Sequence, residues 1–391
     1  MTTLAALQTL HHRQPQRYPV WFHSAAPSQT AHISRLAINL TDQWCALDAQ
    51  GQWYGTDLTL LAQVKANNVA CCFFLTYEYA QQLEPKLNLS TEALGLPLLW
   101  LLRAPAFWVH DAVTDSIHLE LEPAFEHWRA TLEAELTEAE LPSSAAIFEN
   151  LLANLPVAVS PQVLEDASEP FLRGVQRIQQ YIQAGDVYQV NLSRAWRVQF
   201  EAPPDVAQLY QRLCRQNPAP FAASIRWQDA VFGQWHVLSS SPERLLRIDT
   251  LSTGQRLAQT RPIAGTHPRG VSPAEDAQII AALQAHPKER AEHIMLLDLE
   301  RNDLGRVCQP HTVQVDELMT VESYAHVHHL VSNVRGVLRD NVSVWEALLA
   351  VFPGGTITGC PKLRCMEIIA ELEQAPRGAY TGSLGYITAQ G

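Results

Sequence analysis

Residues 168–198, SEPFLRGVQRIQQYIQAGDVYQVNLSRAWRV, hold the helix-to-strand switch on which the fold assignment turns. Ser168 is a candidate cap and Pro170 is tolerated in a first turn. Phe171, Val175, Ile178 and Ile182 then recur at helical spacing until Gly185 supplies a left-handed stop. A strand is expected over residues 187–198. Downstream, a strand over residues 235–240 leads into Ser241-Pro242-Glu243-Arg244. Pro287 opens a helix through Glu292, Met295, Leu296 and Leu299 that stops near Gly305, and Pro361 opens another through Met366 and Ile369. Long strands interleaved with helices, without a strict βαβ rhythm, predict an α+β fold rather than a doubly wound sheet.

The first half reads differently. Ile117, Leu119 and Leu121 alternate with polar neighbours, as in a half-buried strand, and residues 69–75 form an apolar run suited to a strand buried on both faces. From 131 to 168 the composition shifts to Ala, Glu and Leu, with Pro142, Pro156 and Pro161, which predicts a helix followed by a connector. The expected organisation is a β-rich region over 1–130, this helix and connector over 131–168, and a second region over 169–391. No period of 20–50 residues repeats, which argues against solenoids and propellers.

Composition narrows the function classes. A chain of 391 residues with 47% hydrophobic content is globular. Forty acids against 28 bases give a net charge of −12, which argues against nucleic acid as a ligand. An anionic ligand would need a cation or helix ends to oppose that field. The seven cysteines (Cys45, Cys71, Cys72, Cys214, Cys308, Cys360 and Cys365) are scattered and contain no C-x-x-C pair, so neither a disulfide framework nor a zinc site is expected. No basic region followed by an apolar core opens the chain. The apolar stretch 94–102 is too short to span a bilayer and is broken by Pro97. The expectation is a soluble, cytoplasmic protein.

Phe352-Pro353-Gly354-Gly355-Thr356-Ile357-Thr358-Gly359-Cys360-Pro361-Lys362 is the densest local signal. Its glycines let backbone approach a ligand, its threonines offer hydroxyls, and Pro361 marks a helix N-terminus that favours an anion. It lacks the Lys-Ser/Thr ending of a Walker A loop. An ordinary glycine-rich turn has the same composition. Arg261-Pro262-Ile263-Ala264-Gly265-Thr266 is a second glycine-bearing turn. Glu292, one helical turn from Glu289, suits a hard cation such as Mg²⁺, although a solvated helix face is the commoner fate of such a residue. His328 and His329 are adjacent, so on a strand only one of them faces a given site.

Taken in order, six segments resemble the chorismate-utilising enzymes: Gly185-Asp186-Val187-Tyr188-Gln189-Val190-Asn191-Leu192, Ser241-Pro242-Glu243-Arg244, Arg261 to Thr266, Asp298 to Arg306, Val327-His328-His329-Leu330-Val331-Ser332, and Gly354 to Lys362. Phe22-His23-Ser24 in the amino half is similar to the start of the large subunits of aminodeoxychorismate and anthranilate synthases. The resemblance implies two orthogonally packed antiparallel β-sheets surrounded by helices. It implies that Glu243 is the general acid for the departing C4 hydroxyl, that His329 stands beside the reacting ring, and that Glu292 binds Mg²⁺ against a substrate carboxylate. Gln189, Gly265, Thr266, Gly355, Thr356 and Tyr380 would line the substrate, and Ser24, Pro220 and Phe221 would help form a tryptophan pocket.

Water-using relatives carry a lysine base where Gln189 stands, so the resemblance implies ammonia as nucleophile, delivered by a glutamine amidotransferase subunit. The string Tyr188 to Leu192 and the doubled histidine resemble the aminodeoxychorismate branch. Ala264, where many members of that branch have a nucleophilic lysine, resembles the anthranilate branch. The family continues beyond Tyr386 with an arginine, a glycine-rich turn and two further Mg²⁺ carboxylates. A chain stopping at Gln390-Gly391 is therefore expected to be C-terminally truncated, with an unpaired strand edge, and a catalytically inactive binding protein is the alternative expectation.

Overall fold

The computed structural model describes residues 3–28, 31–66, 69–92, 94–141 and 162–389. The segment 71–75 shows how the run of apolar residues becomes architecture. The strand Cys71–Leu75 is buried throughout, and because side chains alternate across a strand, Cys71, Phe73 and Leu75 enter one core while Cys72 and Phe74 enter another. It lies in a five-stranded antiparallel sheet in the order Ser383–Ile387, Cys71–Leu75, Leu99–Arg103, Trp44–Leu47, Trp53–Gly55. Across one face lies a six-stranded antiparallel sheet in the order Gly233–Ser241, Phe221–Asp229, Val20–His23, Ile33–Ile38, Ala106–Asp111, Ser116–Leu121. Trp100 of the first sheet meets Trp227 and Trp235 of the second, with ring centroids 5.0 and 5.6 Å apart. The other face packs on the helix Val344–Val351 through Trp345 and Leu348, and on Met366 and Ile369.

A further five-stranded antiparallel sheet carries the glycine-bearing turn Arg261 to Thr266. Its centre is the strand Val327–Val337, with Gln314–Ser323 along one edge. The opposite edge is covered in tandem by Arg256–Arg261 and Ile263–Pro268, with Pro262 between them, and Arg244–Thr250 pairs beyond Arg256–Arg261. The register slips between Ile263 and Thr266, where Gly265 adopts φ +97°. Helices thus enclose antiparallel sheets in the α+β manner, and strands from the first 130 residues share sheets with strands beyond residue 220.

Local expectations fare unevenly. The helix Ser168–Ala184 ends at Gly185 with φ +82°, as a left-handed stop requires. Its cap, however, is Ala167, with Ser168 already inside the helix and no side-chain cap bond. The strand over 187–198 divides in two. Gln189–Val190 pairs with Gly359–Cys360, and Trp196–Gln199 pairs with Gln162–Glu165. Pro361 occupies the cap of the helix Lys362–Glu373 rather than its first turn. The helix expected after residue 130 is Arg129–Glu140, whereas Pro142, Pro156 and Pro161 of the connector, and Gln390 and Gly391, lie outside the described residues. Among the described residues, no helix is long and apolar enough to cross a membrane.

Candidate active site

The helix Pro287–Gly305 organises the site. Its buried face is His293, Leu296, Leu297, Glu300, Asp303 and Leu304, a helical stripe on which two carboxylates replace apolar residues. His293 fixes the helix to the glycine-bearing turn. Its Nδ1 donates to the Ala264 carbonyl (3.1 Å), which leaves Nε2 to accept from the Ser332 hydroxyl (2.6 Å). Gly265 is held beneath that contact. A Cβ there would lie 3.1 Å from Glu289 Oε2 and from Leu283 Cδ1, besides the strain of positive φ.

Glu243 follows the strand Gly233–Ser241 and reaches under the long glycine loop. The Thr356 hydroxyl donates to Glu243 Oε1 at 2.7 Å, and the Ile263 N–H approaches the same oxygen at 3.4 Å. The residue as a whole is half-buried, but its carboxyl is surrounded by protein, and desolvation pushes it up to about 8. The Glu300 carboxylate adds to that rise, while the Thr356 hydroxyl opposes it. Glu243 is therefore a proton-bearing acid at neutral pH.

His329 lies opposite Thr266 in the strand register, and its Nδ1 is 2.8 Å from the Thr266 hydroxyl. Burial lowers its proton affinity, so it is a neutral imidazole, packed 5.6 Å from the Tyr324 ring. As strand alternation requires, His328 faces elsewhere: its ring nitrogens contact Ser323 Oγ (2.7 Å) and Asp276 Oδ1 (2.8 Å).

Gln189 is joined to the glycine loop by main-chain pairing with Cys360, and Cys365 Sγ donates to its carbonyl at 3.0 Å. Its side-chain Oε1 is buried without a hydrogen-bond partner in the described residues. Gly359, at φ +128°, lies so close to the Gln189 carbonyl that a Cβ would collide with it. Gly359→Ala is accordingly expected to cost about 2–4 kcal/mol, because the new methyl meets backbone and the dihedral is unfavourable. A urea midpoint unchanged from the parent chain would contradict this account of the ribbon.

The remaining predicted residues are more dispersed. Gly355 backs onto the helix, where a Cβ would collide with Leu299 and lie 3.5 Å from Glu300 Oε1. Tyr380 is exposed, its ring 5.4 Å from the Arg377 guanidinium, which also reaches the carbonyls of Ile357 (3.4 Å) and Asn191 (2.5 Å). Glu292 pairs with Lys288 at 3.2 Å and lines a cavity of about 870 Å³, together with Tyr188, Leu299, Asp303, Cys360 and Lys362. Glu243, Thr356 and His329 do not line that cavity. Among the described residues, no group of three or more His, Cys, Asp or Glu side chains could hold a metal ion. Glu292 alone fits the one or two carboxylates that Mg²⁺ takes when substrate oxygens and water complete its shell.

Ser24 lies in a separate place. Its hydroxyl donates to the Ala31 carbonyl (2.6 Å), and the N–H groups of Ala25 and Ala26 donate to Ala219 (3.1 and 3.2 Å). That contact sets Ser24 beside Pro220 and Phe221. Sequence reasoning missed Glu300, Asp303 and Arg377. Asp303 is buried and paired with Lys362 at 2.5 Å, and Arg377 bonds Glu373 and lies over Tyr77.

Comparison with known proteins supplies the family. The chorismate binding enzyme family matches residues 8–391. An anthranilate synthase component I-like protein of Synechocystis is 50% identical over 219 residues, 56% of this chain and 43% of the relative. Aminodeoxychorismate synthase component 1 of Bacillus subtilis is 39% identical over 322 residues, 80% of this chain and 64% of the relative. The chain thus spans between two fifths and two thirds of the length of these two relatives. In three dimensions, anthranilate synthase component I from Streptococcus pneumoniae superposes with a TM-score of 0.71 at 26% identity, covering 93% of this chain and 82% of that one. With the family match spanning nearly every residue, the chain belongs to the chorismate-binding enzyme family.

Proposed function

We propose that the chain acts in the amination of chorismate at C4, giving 4-amino-4-deoxychorismate, with ammonia supplied by a glutamine amidotransferase subunit. The observation that carries this reading is Glu243, whose buried carboxyl keeps its proton at neutral pH while Thr356 holds it in one orientation. Such an acid can give its proton to a departing hydroxyl, which then leaves as water. Ammonia adds to the ring and returns one proton to Glu243, so the cycle closes without net proton change. Gln189, an amide rather than a lysine in that position, supplies no base for activating water. His329, neutral and oriented by Thr266, stands as the group beside the reacting ring.

Glu292 would contribute a carboxylate to Mg²⁺, which when bound would neutralise substrate carboxylate charge against the −12 background. Residues 169–391 are assigned as the chorismate-binding part, with Gly265, Thr266, Gly355, Thr356 and Tyr380 toward substrate. Residues 1–130, through Ser24 and with Pro220 and Phe221, are assigned as the tryptophan-pocket part.

Ala264 favours a second reading, anthranilate formation with pyruvate release, because that turn holds no lysine to attack C2. Incubation with chorismate, Mg²⁺ and ammonium, with products resolved by mass and ultraviolet spectrum, separates the two. Aminodeoxychorismate supports the first reading, anthranilate with pyruvate the second. Tryptophan binding by calorimetry without turnover would overturn both in favour of a binding protein.

A further inference from the structure

Glu300 has no assigned role, yet it is placed as a working residue is. It projects from the buried face of the helix Pro287–Gly305 and is 4% exposed. Its Oε1 lies 3.5 Å from the position of a Cβ on Gly355, the residue preceding the threonine that bonds Glu243. Its Oε2 is buried with no hydrogen-bond partner in the described residues, and the Thr260 hydroxyl faces the carboxyl. A buried ionised carboxylate with an unsatisfied oxygen is costly, and a structural carboxylate here would be expected to make a direct salt bridge. Lys362, whose charge acts on Glu300, instead bonds Asp303.

We propose that Glu300 is a positioning residue of the site: a second buried carboxyl, set behind the Gly354-Gly355-Thr356 turn, whose negative charge keeps Glu243 loaded as the acid. Two like carboxyls close together cannot both ionise cheaply, so the charge of one holds the proton on the other. Glu300 is itself raised to about 7, by burial first and by Asp303, with Lys362 opposing. The charged and polar groups facing the pair are Lys362, Asp303, Thr260, Thr356 and the N–H groups of Ile263 and Gly355. When Glu243 gives its proton to the leaving hydroxyl, the pair briefly carries two negative charges. That repulsion drives Glu243 to take the proton back from the incoming amine. This inference rests on Glu243 being the acid, but its test needs no substrate.

The test is an infrared titration of the protonated-carboxyl stretch in the full 391-residue chain, compared with Glu300→Gln and Glu243→Gln. In Glu300→Gln the Glu243 midpoint is expected to fall by about one pH unit, a tenfold loss of proton affinity. By reciprocity the Glu300 midpoint should fall equally in Glu243→Gln, which keeps the test available if one variant does not fold. A midpoint moved by less than about 0.3 unit in a folded variant would sink the coupling. Failure of the chain to aminate chorismate would count against the reaction and leave these midpoints unaffected.

Discussion

Glu243→Gln is expected to lower the rate of chorismate conversion by about 10²–10⁴-fold while chorismate still binds. The amide keeps the size of the carboxyl and still accepts the Thr356 hydroxyl at the oxygen that receives it now, so the glycine loop stays in place. What it lacks is the proton. The sign of the pH dependence follows from the raised affinity: Glu243 is protonated below about 8, so the parent rate should fall as pH rises through that value. The residual rate of the variant should not share that alkaline limb. Calorimetry of chorismate binding and a kcat profile from pH 6 to about 9.5 check both halves. A variant retaining more than about a tenth of the rate would remove Glu243 from the acid role.

The sequence makes legible whatever is determined by neighbours along the chain. The helix Ser168–Ala184 and its Gly185 stop, the helix Pro287–Gly305 and the alternation in Ser116–Leu121 all follow from local periodicity and end signals. The failure at residues 187–198 is of another kind. Whether that stretch is one strand depends on partners, and its two halves find different ones, Gly359–Cys360 far along the chain and Gln162–Glu165 just before the helix. Nothing within twelve residues encodes that division.

The site divides similarly. Glu243, Thr356, Thr266 and His329 are each named from a motif, but the two hydrogen-bonded pairs they form join motifs far apart in the chain and are not stated by any of them. Glu300 and Asp303 escape notice because carboxylates on a helix are normally solvated. Yet they continue the stripe begun by His293, Leu296 and Leu297, so the spacing did place them inward. A carboxylate on the apolar face of a helix is the signal that would have found them.

Folding stability is expected to peak near pH 6.5 and to fall on both sides, through two opposed sets of buried groups. His11 bridges the Tyr18 carbonyl (2.6 Å) and the Ser224 hydroxyl (2.9 Å) from a fully buried position, and desolvation drives it down to about 3. Burial likewise lowers His23 to about 4, and it lowers His12, His236, His293 and His329 in the same direction. For these imidazoles the unfolded chain binds the extra proton once pH drops below about 6.5, so acid costs stability. His11 alone contributes a slope of about 1.4 kcal/mol per pH unit between that value and its folded one. Glu243 and Glu300 act with the opposite sign. They stay protonated in the fold while unfolded carboxyls ionise above about 4.5, so stability from them is complete in acid and is lost as pH rises toward 8. Below pH 6.5 the more numerous imidazoles dominate, and above it only the carboxyls act. Urea denaturation from pH 4.5 to about 8.5 should therefore give a maximum, and single replacements should tilt it in opposite directions. His11→Gln flattens the acid side by about 1.4 kcal/mol per unit, and Glu243→Gln flattens the alkaline side by a similar amount. A parent curve that climbs steadily to pH 8, or a His11→Gln curve parallel to the parent, would mean that these groups are solvated in the fold.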